Sequence, residues 1–116
     1  MRGKEEKMIK IINKTPHPVH VIDAEDRIVK TFPMCPKEDL VRLAVRTISE
    51  GKLDDIPVSR TEFGEPQGLP GFKEDVFYIV SQLVKSALPE RKDLLVPAEI
   101  VRNKDGQIIG CRNLGR

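Results

Sequence analysis

No apolar run in this chain is longer than Val76-Phe77-Tyr78-Ile79-Val80, and most of the shorter ones are closed within a few residues by proline, glycine, asparagine or aspartate. Runs of that length suit strands and fall short of long helices. Nine prolines and eight glycines supply the punctuation. Proline fixes φ and removes a donor, and glycine frees φ, so such spacing favours short strands joined by turns.

Along the chain, Met8-Ile9-Lys10-Ile11-Ile12 reads as a strand ending at Asn13. Pro16 and Pro18 make the following segment an ordered loop. Val19–Ile22 and Arg27–Phe32 form the arms of a hairpin across Asp23-Ala24-Glu25-Asp26. Residues 38–50 support two assignments. They can form a short helix behind an acidic cap, but Val41, Leu43, Val45 and Thr47 alternate with Arg42, Ala44 and Arg46. Period two with β-branched residues favours the strand. Ile56–Phe63 returns from it, with Pro57 at an edge or near the strand's start.

Gly64 to Gly71 is a Gly/Pro-rich loop. Val76–Val80 is the expected central strand. Leu83, Val84, Ala87 and Leu88 then take helical spacing behind a Ser81 cap, and Pro89 stops the helix. Leu94–Pro97 is a further buried strand, parallel to 76–80 if the two share a sheet, with a right-handed crossover. Ile100–Arg102 and Gln107–Cys111 close a hairpin over Asp105-Gly106. The predicted fold is α+β: one small domain with a mixed, mostly antiparallel sheet or partly closed barrel of six to eight short strands and one main helix.

The 116 residues match one domain with a radius of gyration of about 13 Å, large enough to need neither disulfide nor structural metal. Residues 1–7 read as a flexible tail without a signal-peptide pattern, and 8–116 as the domain. No apolar run approaches the ~20 residues of a membrane span. Cys35 and Cys111 lack metal-ligand spacing and read as reduced thiols of a cytoplasmic protein, with a disulfide between them left open. The 33% of charged residues, few Gln and Asn, and frequent Pro point to a thermophilic source. A formal charge of +2 gives no case for non-specific nucleic-acid binding, and one Tyr and four Phe offer few bases a stacking platform.

Four places are candidates for chemistry. Asn13, Thr15 and His17 present amide, hydroxyl and imidazole on a proline-stiffened loop, where little ordering cost opposes ligand binding; the alternative is a turn bonding its own backbone. Arg42 and Arg46 would share a strand face about 13 Å apart, with Arg60 near them, offering planar donor forks to phosphate or carboxylate or pairing with Glu50, Glu62 or Asp54. Tyr78 and Ser81 stand at a strand–helix junction suited to an anion, although a serine cap needs no ligand. Arg91 and Asp93 flank the start of a buried strand, and Cys111 sits beside Arg112, a neighbour that favours thiolate. No catalytic signature emerges from their spacing, and neither metal nor cofactor is expected.

The phrases Asn13-x-Thr15-Pro16-His17, Phe63-Gly64 with Gly68-Leu69-Pro70, Tyr78-Ile79-Val80-Ser81, Asp93-Leu94-Leu95-Val96-Pro97, and Val101-Arg102 leading to Gly110-Cys111-Arg112 run in an order that resembles a family of short uncharacterised proteins of phages, prophages, bacteria and archaea. The resemblance covers about residues 9–114. It implies a viral or mobile-element connection and a hairpin over 40–63, and brings no mechanism. The charged first seven residues and the Lys/Arg-rich stretch 37–53 depart from it.

Two function classes follow. The first is a non-enzymatic binding protein that oligomerises and holds a small anionic ligand or a host protein. The alternative is a small hydrolase or transferase using His17 with Asp93, Ser81 or Cys111, which requires those groups to converge.

Overall fold

The computed structural model describes residues 8–116, and the tail expected over 1–7 lies outside them. Lys10–Asn13 (β1), Val19–Ile22 (β2), Ile28–Phe32 (β3), Val45–Leu53 (β4), Ile56–Phe63 (β5), Val76–Ile79 (β6), Leu94–Arg102 (β7) and Ile108–Gly115 (β8) are strands, and Gln82–Ala87 (α1) is the helix. Eight strands and one helix agree with the α+β expectation.

The strand reading of 38–50 holds from Val45 onward, and the helical alternative does not. Only Lys37–Asp39 coils, as a single 3-10 turn. Arg42 instead makes one antiparallel bridge to Gln67 through two backbone hydrogen bonds of 2.8 and 2.7 Å. The runs 94–97 and 100–102 are one strand, β7, rather than two. Pro97 fits because the carbonyls of Asp93 and Leu95 accept from β6, so alternation turns the Pro97 nitrogen to that same side. There β6 has already ended, and no ladder bond is lost.

Six strands form one sheet in the order β1-β6-β7-β8-β2-β3. β1 and β7 flank β6 in parallel, with α1 between β6 and β7 in sequence, and β8 is parallel to β2. The β7–β8 and β2–β3 pairs are antiparallel. In a flat sheet, five spacings would hold β1 about 24 Å from β3. Yet the Asn13 amide donates to the carbonyls of Phe32 and Pro33 at 3.2 and 3.1 Å, and Cys35 N–H donates to Thr15 O at 3.0 Å. The sheet therefore curls until its two edges meet at one end, stitched by a side chain and a loop.

Alternation along the strands sorts two cores. Val19, Ile79, Leu95 and Cys111 pack together with Ile11 and Phe32, so all six strands contribute and this cluster fills the concave side. Tyr78, Val80, Leu94 and Val96 form the second cluster, with Val84 of α1 and with Val41, Leu43 and Leu69 packed on it. Gly68 lets that cover close: a Cβ there would sit 2.5 Å from Leu40 O, and its φ is +86°.

β4 and β5 pair only with each other. Asp54 and Asp55 carry φ of 52° and 64°, as the tight hairpin turn requires. Most of the residues on both strands are exposed. The hairpin is an arm, and it explains a radius of gyration of 17.9 Å where a compact domain of this length would have about 13 Å.

Candidate functional site

A groove of about 510 Å³ opens where β2 and β8 diverge from their single pairing at Val21–Cys111. Ile100, Ile108 and Ile109 wall it from the β7–β8 hairpin, and Pro18 and Pro97 add apolar surface. Thr15, His17 and His20 supply its polar rim, while Val19, Gly110 and Cys111 reach it from the sheet. The volume suits a small ligand or a short peptide segment. Ile100 and Ile108 are about half exposed, at 45% and 58%, so the walls form a contiguous apolar surface open to contact.

Of the loop residues, Thr15 and His17 reach this groove and Asn13 does not. The Asn13 side chain is buried, and every polar group on it is used. Its amide donates to His17 O at 2.8 Å as well as to Phe32 O and Pro33 O. Its oxygen accepts from Thr15 N–H at 2.9 Å and from the Thr15 hydroxyl at 2.7 Å. Those bonds fold the loop back over β1 and leave the His17 ring on the surface. His20 is a groove residue that the sequence did not single out; its Nδ1 lies 2.9 Å from the Thr31 hydroxyl. A lone histidine within a four-residue strand gave no signal, because the groove depends on where β8 runs.

The arginines do not make an open anion platform. Arg42 belongs to the bridge at the foot of the arm, outside β4, and its side chain is exposed. Arg46 pairs with Glu62 at 2.7 Å, and Arg60 with Glu50 at 2.9 Å and with Glu62. These hydrogen bonds, Arg46's first, hold the Glu62 carboxyl below the usual range. Such exposed pairs add little stability, but they occupy the guanidinium forks with carboxylates. Arg112 bonds the Asp23 carbonyl and Asp26, steadying the β2–β3 turn.

The strand–helix junction is closed as well. Tyr78 is 3% exposed, within the core. The Ser81 hydroxyl accepts from Val84 N–H at 3.2 Å, as a cap should. Ser81→Ala is expected to cost about 1 kcal/mol, measured by thermal melting, and to leave any groove binding unchanged.

Arg91 and Asp93 form a two-pronged pair, both contacts at 2.8 Å, and Arg91 also donates to Pro70 O at 3.0 Å. Asp93 is 1% exposed, so its carboxylate is committed to tying the 64–71 loop to the start of β7. The Cys111 expectation needs correction. Cys111 points into the core while Arg112, next along the strand, points away to Asp26. Burial pushes the thiol pKa up, against the thiolate that a cationic neighbour was expected to favour. Its Sγ lies 3.6 Å from His20 O. Of the alternative catalytic set, His17 and Cys111 share the groove, whereas Asp93 and Ser81 do not line it.

Cys35 and Cys111 are free thiols. Among the described residues, no cluster of His, Cys, Asp or Glu could hold a metal ion, and no helix is long and apolar enough to cross a membrane. No family model, curated protein or solved structure matches the chain.

Proposed function

We propose that this chain is a non-enzymatic protein-binding module whose groove between β2 and the β7–β8 hairpin holds an apolar segment of a partner protein. The observation that carries the reading is the wall of Ile100, Ile108 and Ile109, left exposed beside a polar rim that includes Thr15 and His17. A small anion is the weaker ligand class, because Arg46, Arg60, Arg91 and Arg112 are bonded to carboxylates or carbonyls. The order of phrases resembling short phage and prophage proteins supports a viral or mobile-element origin.

The test is a thermal-shift screen in which phosphate, nucleotides and dicarboxylates are compared with a panel of extended apolar peptides. Peptides are expected to raise the melting temperature, and Ile109→Asp to abolish that rise. Stabilisation by a nucleotide that persists in Ile109→Asp, with no peptide bound, would defeat the reading.

A further inference from the structure

The arm is the part of the molecule least explained by folding. A two-stranded hairpin alone is marginal in water, and this one keeps large apolar side chains in solvent: Leu53 is 70% exposed and Ile56 62%. The cross-strand register places them opposite each other at the tip, and pairs Ile48 with Arg60 and Arg46 with Glu62 nearer the foot. Alternation puts these pairs on one face together with Val58. That face is apolar in its outer half, and near the foot it is a ladder of paired charges. The other face carries Thr47 with Thr61 and Ser49 with Ser59.

Both edges of the arm are blunted. The register shifts between Ser49 and Lys52, where Gly51 has φ +88°, and Pro57 interrupts the other strand near the tip. A bulge and a proline are devices that discourage strand addition. The arm is built to dock by its tip and not to extend a sheet.

We infer that the occupant of the groove is the arm tip of a second copy of this chain, so that molecules associate head to tail. This rests on the protein-binding reading of the groove and names the partner. Leu53 and Ile56 match the isoleucine wall in chemistry. The acidic turn Asp54-Asp55 matches the rim, where the exposed His17 imidazole stands and no carboxylate lines the groove. Two arm tips meeting each other would instead oppose four carboxylates. Tip and groove are different surfaces, so the contact is heterologous and propagates into a ring or an open chain.

The experiment is sedimentation velocity on the full chain over a concentration series. The mass of the unaltered protein should rise beyond that of a dimer. Leu53→Lys with Ile56→Lys removes the tip, and Ile109→Asp removes the groove; each variant alone should be monomeric. Their equimolar mixture should form a dimer and stop there, because one functional tip meets one functional groove. Asp54→Asn with Asp55→Asn keeps a turn that tolerates positive φ and should weaken association about tenfold. His17→Glu, an exposed change that spares the wall, should do the same if Ile109→Asp compromises folding. A protein that stays monomeric at every concentration overturns the inference. So does a tip variant that keeps the unaltered mass, or a mixture that remains monomeric. A Val58→Cys chain that oxidises to a covalent dimer would show arms packed on each other instead. If apolar peptides still bind the groove while the arm variants leave the mass unchanged, the binding reading survives and this inference does not.

Discussion

Arg91→Ala is expected to destabilise the protein by about 3–5 kcal/mol, since removing one member of a buried ion pair strands the other. For a chain of this size that is a fall in melting temperature of about 10–20 °C. Asp93 is 1% exposed and cannot turn to water, and Pro70 O loses its donor in the same step. The pH dependence carries the sign. Hydrogen bonds from Arg91 hold the Asp93 carboxyl below its ordinary range, against the opposing effect of burial. The pair's contribution is therefore present above the unfolded value of about 4 and is lost as pH falls through the lower folded value. Without Arg91, burial raises the same carboxyl, so the variant regains stability as acid protonates it. Thermal melts between about pH 3 and pH 7 should show the gap between the two proteins closing on acidification. Arg91→Met with Asp93→Leu should recover much of the loss, because an apolar pair leaves no buried charge. A gap below about 1 kcal/mol at neutral pH would place this pair with ordinary surface bridges.

That pair and the arm mark where the sequence stops being readable. Local signals held: the Ser81 cap, the Asp105-Gly106 turn and the apolar run of β6 each name their structure because propensity and burial agree over a few residues. The strand reading of 38–50 also held from Val45 onward, where Val45 and Thr47 continue the alternation against Arg46, while Arg42 makes only an isolated bridge to Gln67. That the hairpin would leave the body was harder to see. Its two faces carry Thr, Ser, Arg and Glu along the middle, with apolar pairs only at the foot and the tip, a pattern that gives the core little to hold along most of its length. Pro97 misled in the other direction. It looks like a strand end, and only the place where β6 stops makes it harmless. Arg91 and Asp93 were visible as neighbours, but their commitment to each other depends on the 64–71 loop folding over them. The groove is the least legible feature, because its two sides meet through the parallel pairing of Val21 with Cys111, between segments far apart in the sequence.

Asn13→Asp is the second substitution with a large expected effect, and it tests the curl of the sheet. The change keeps one oxygen where Thr15 N–H and its hydroxyl donate. It replaces the amide nitrogen by an oxygen facing the carbonyls of His17, Phe32 and Pro33, at distances of 2.8, 3.2 and 3.1 Å in the unaltered protein. Three acceptors then surround a buried carboxylate, and the expected loss is about 3–4 kcal/mol at neutral pH. Burial and these carbonyls disfavour the charged form, so the folded pKa of the new carboxyl rises above its unfolded value of about 3.9. The destabilisation is full above the raised value and eases as pH falls through it, because a protonated acid can donate to one of the carbonyls. The variant should gain stability relative to the unaltered chain over mildly acidic pH, where Asn13→Ala, losing the same bonds without a charge, should show no such relief. Amide exchange at Cys35 should quicken in both variants, since Cys35 N–H bonds Thr15 O only while the two edges of the sheet are held together. An Asn13→Asp protein that melts in parallel with the unaltered chain at every pH would mean that the amide does not clasp β1 to the end of β3. With the edges held, Thr15 and His17 sit over the start of β8 and complete the groove; with them released, the concave core of Ile79, Leu95 and Cys111 loses its closure and the groove loses its rim.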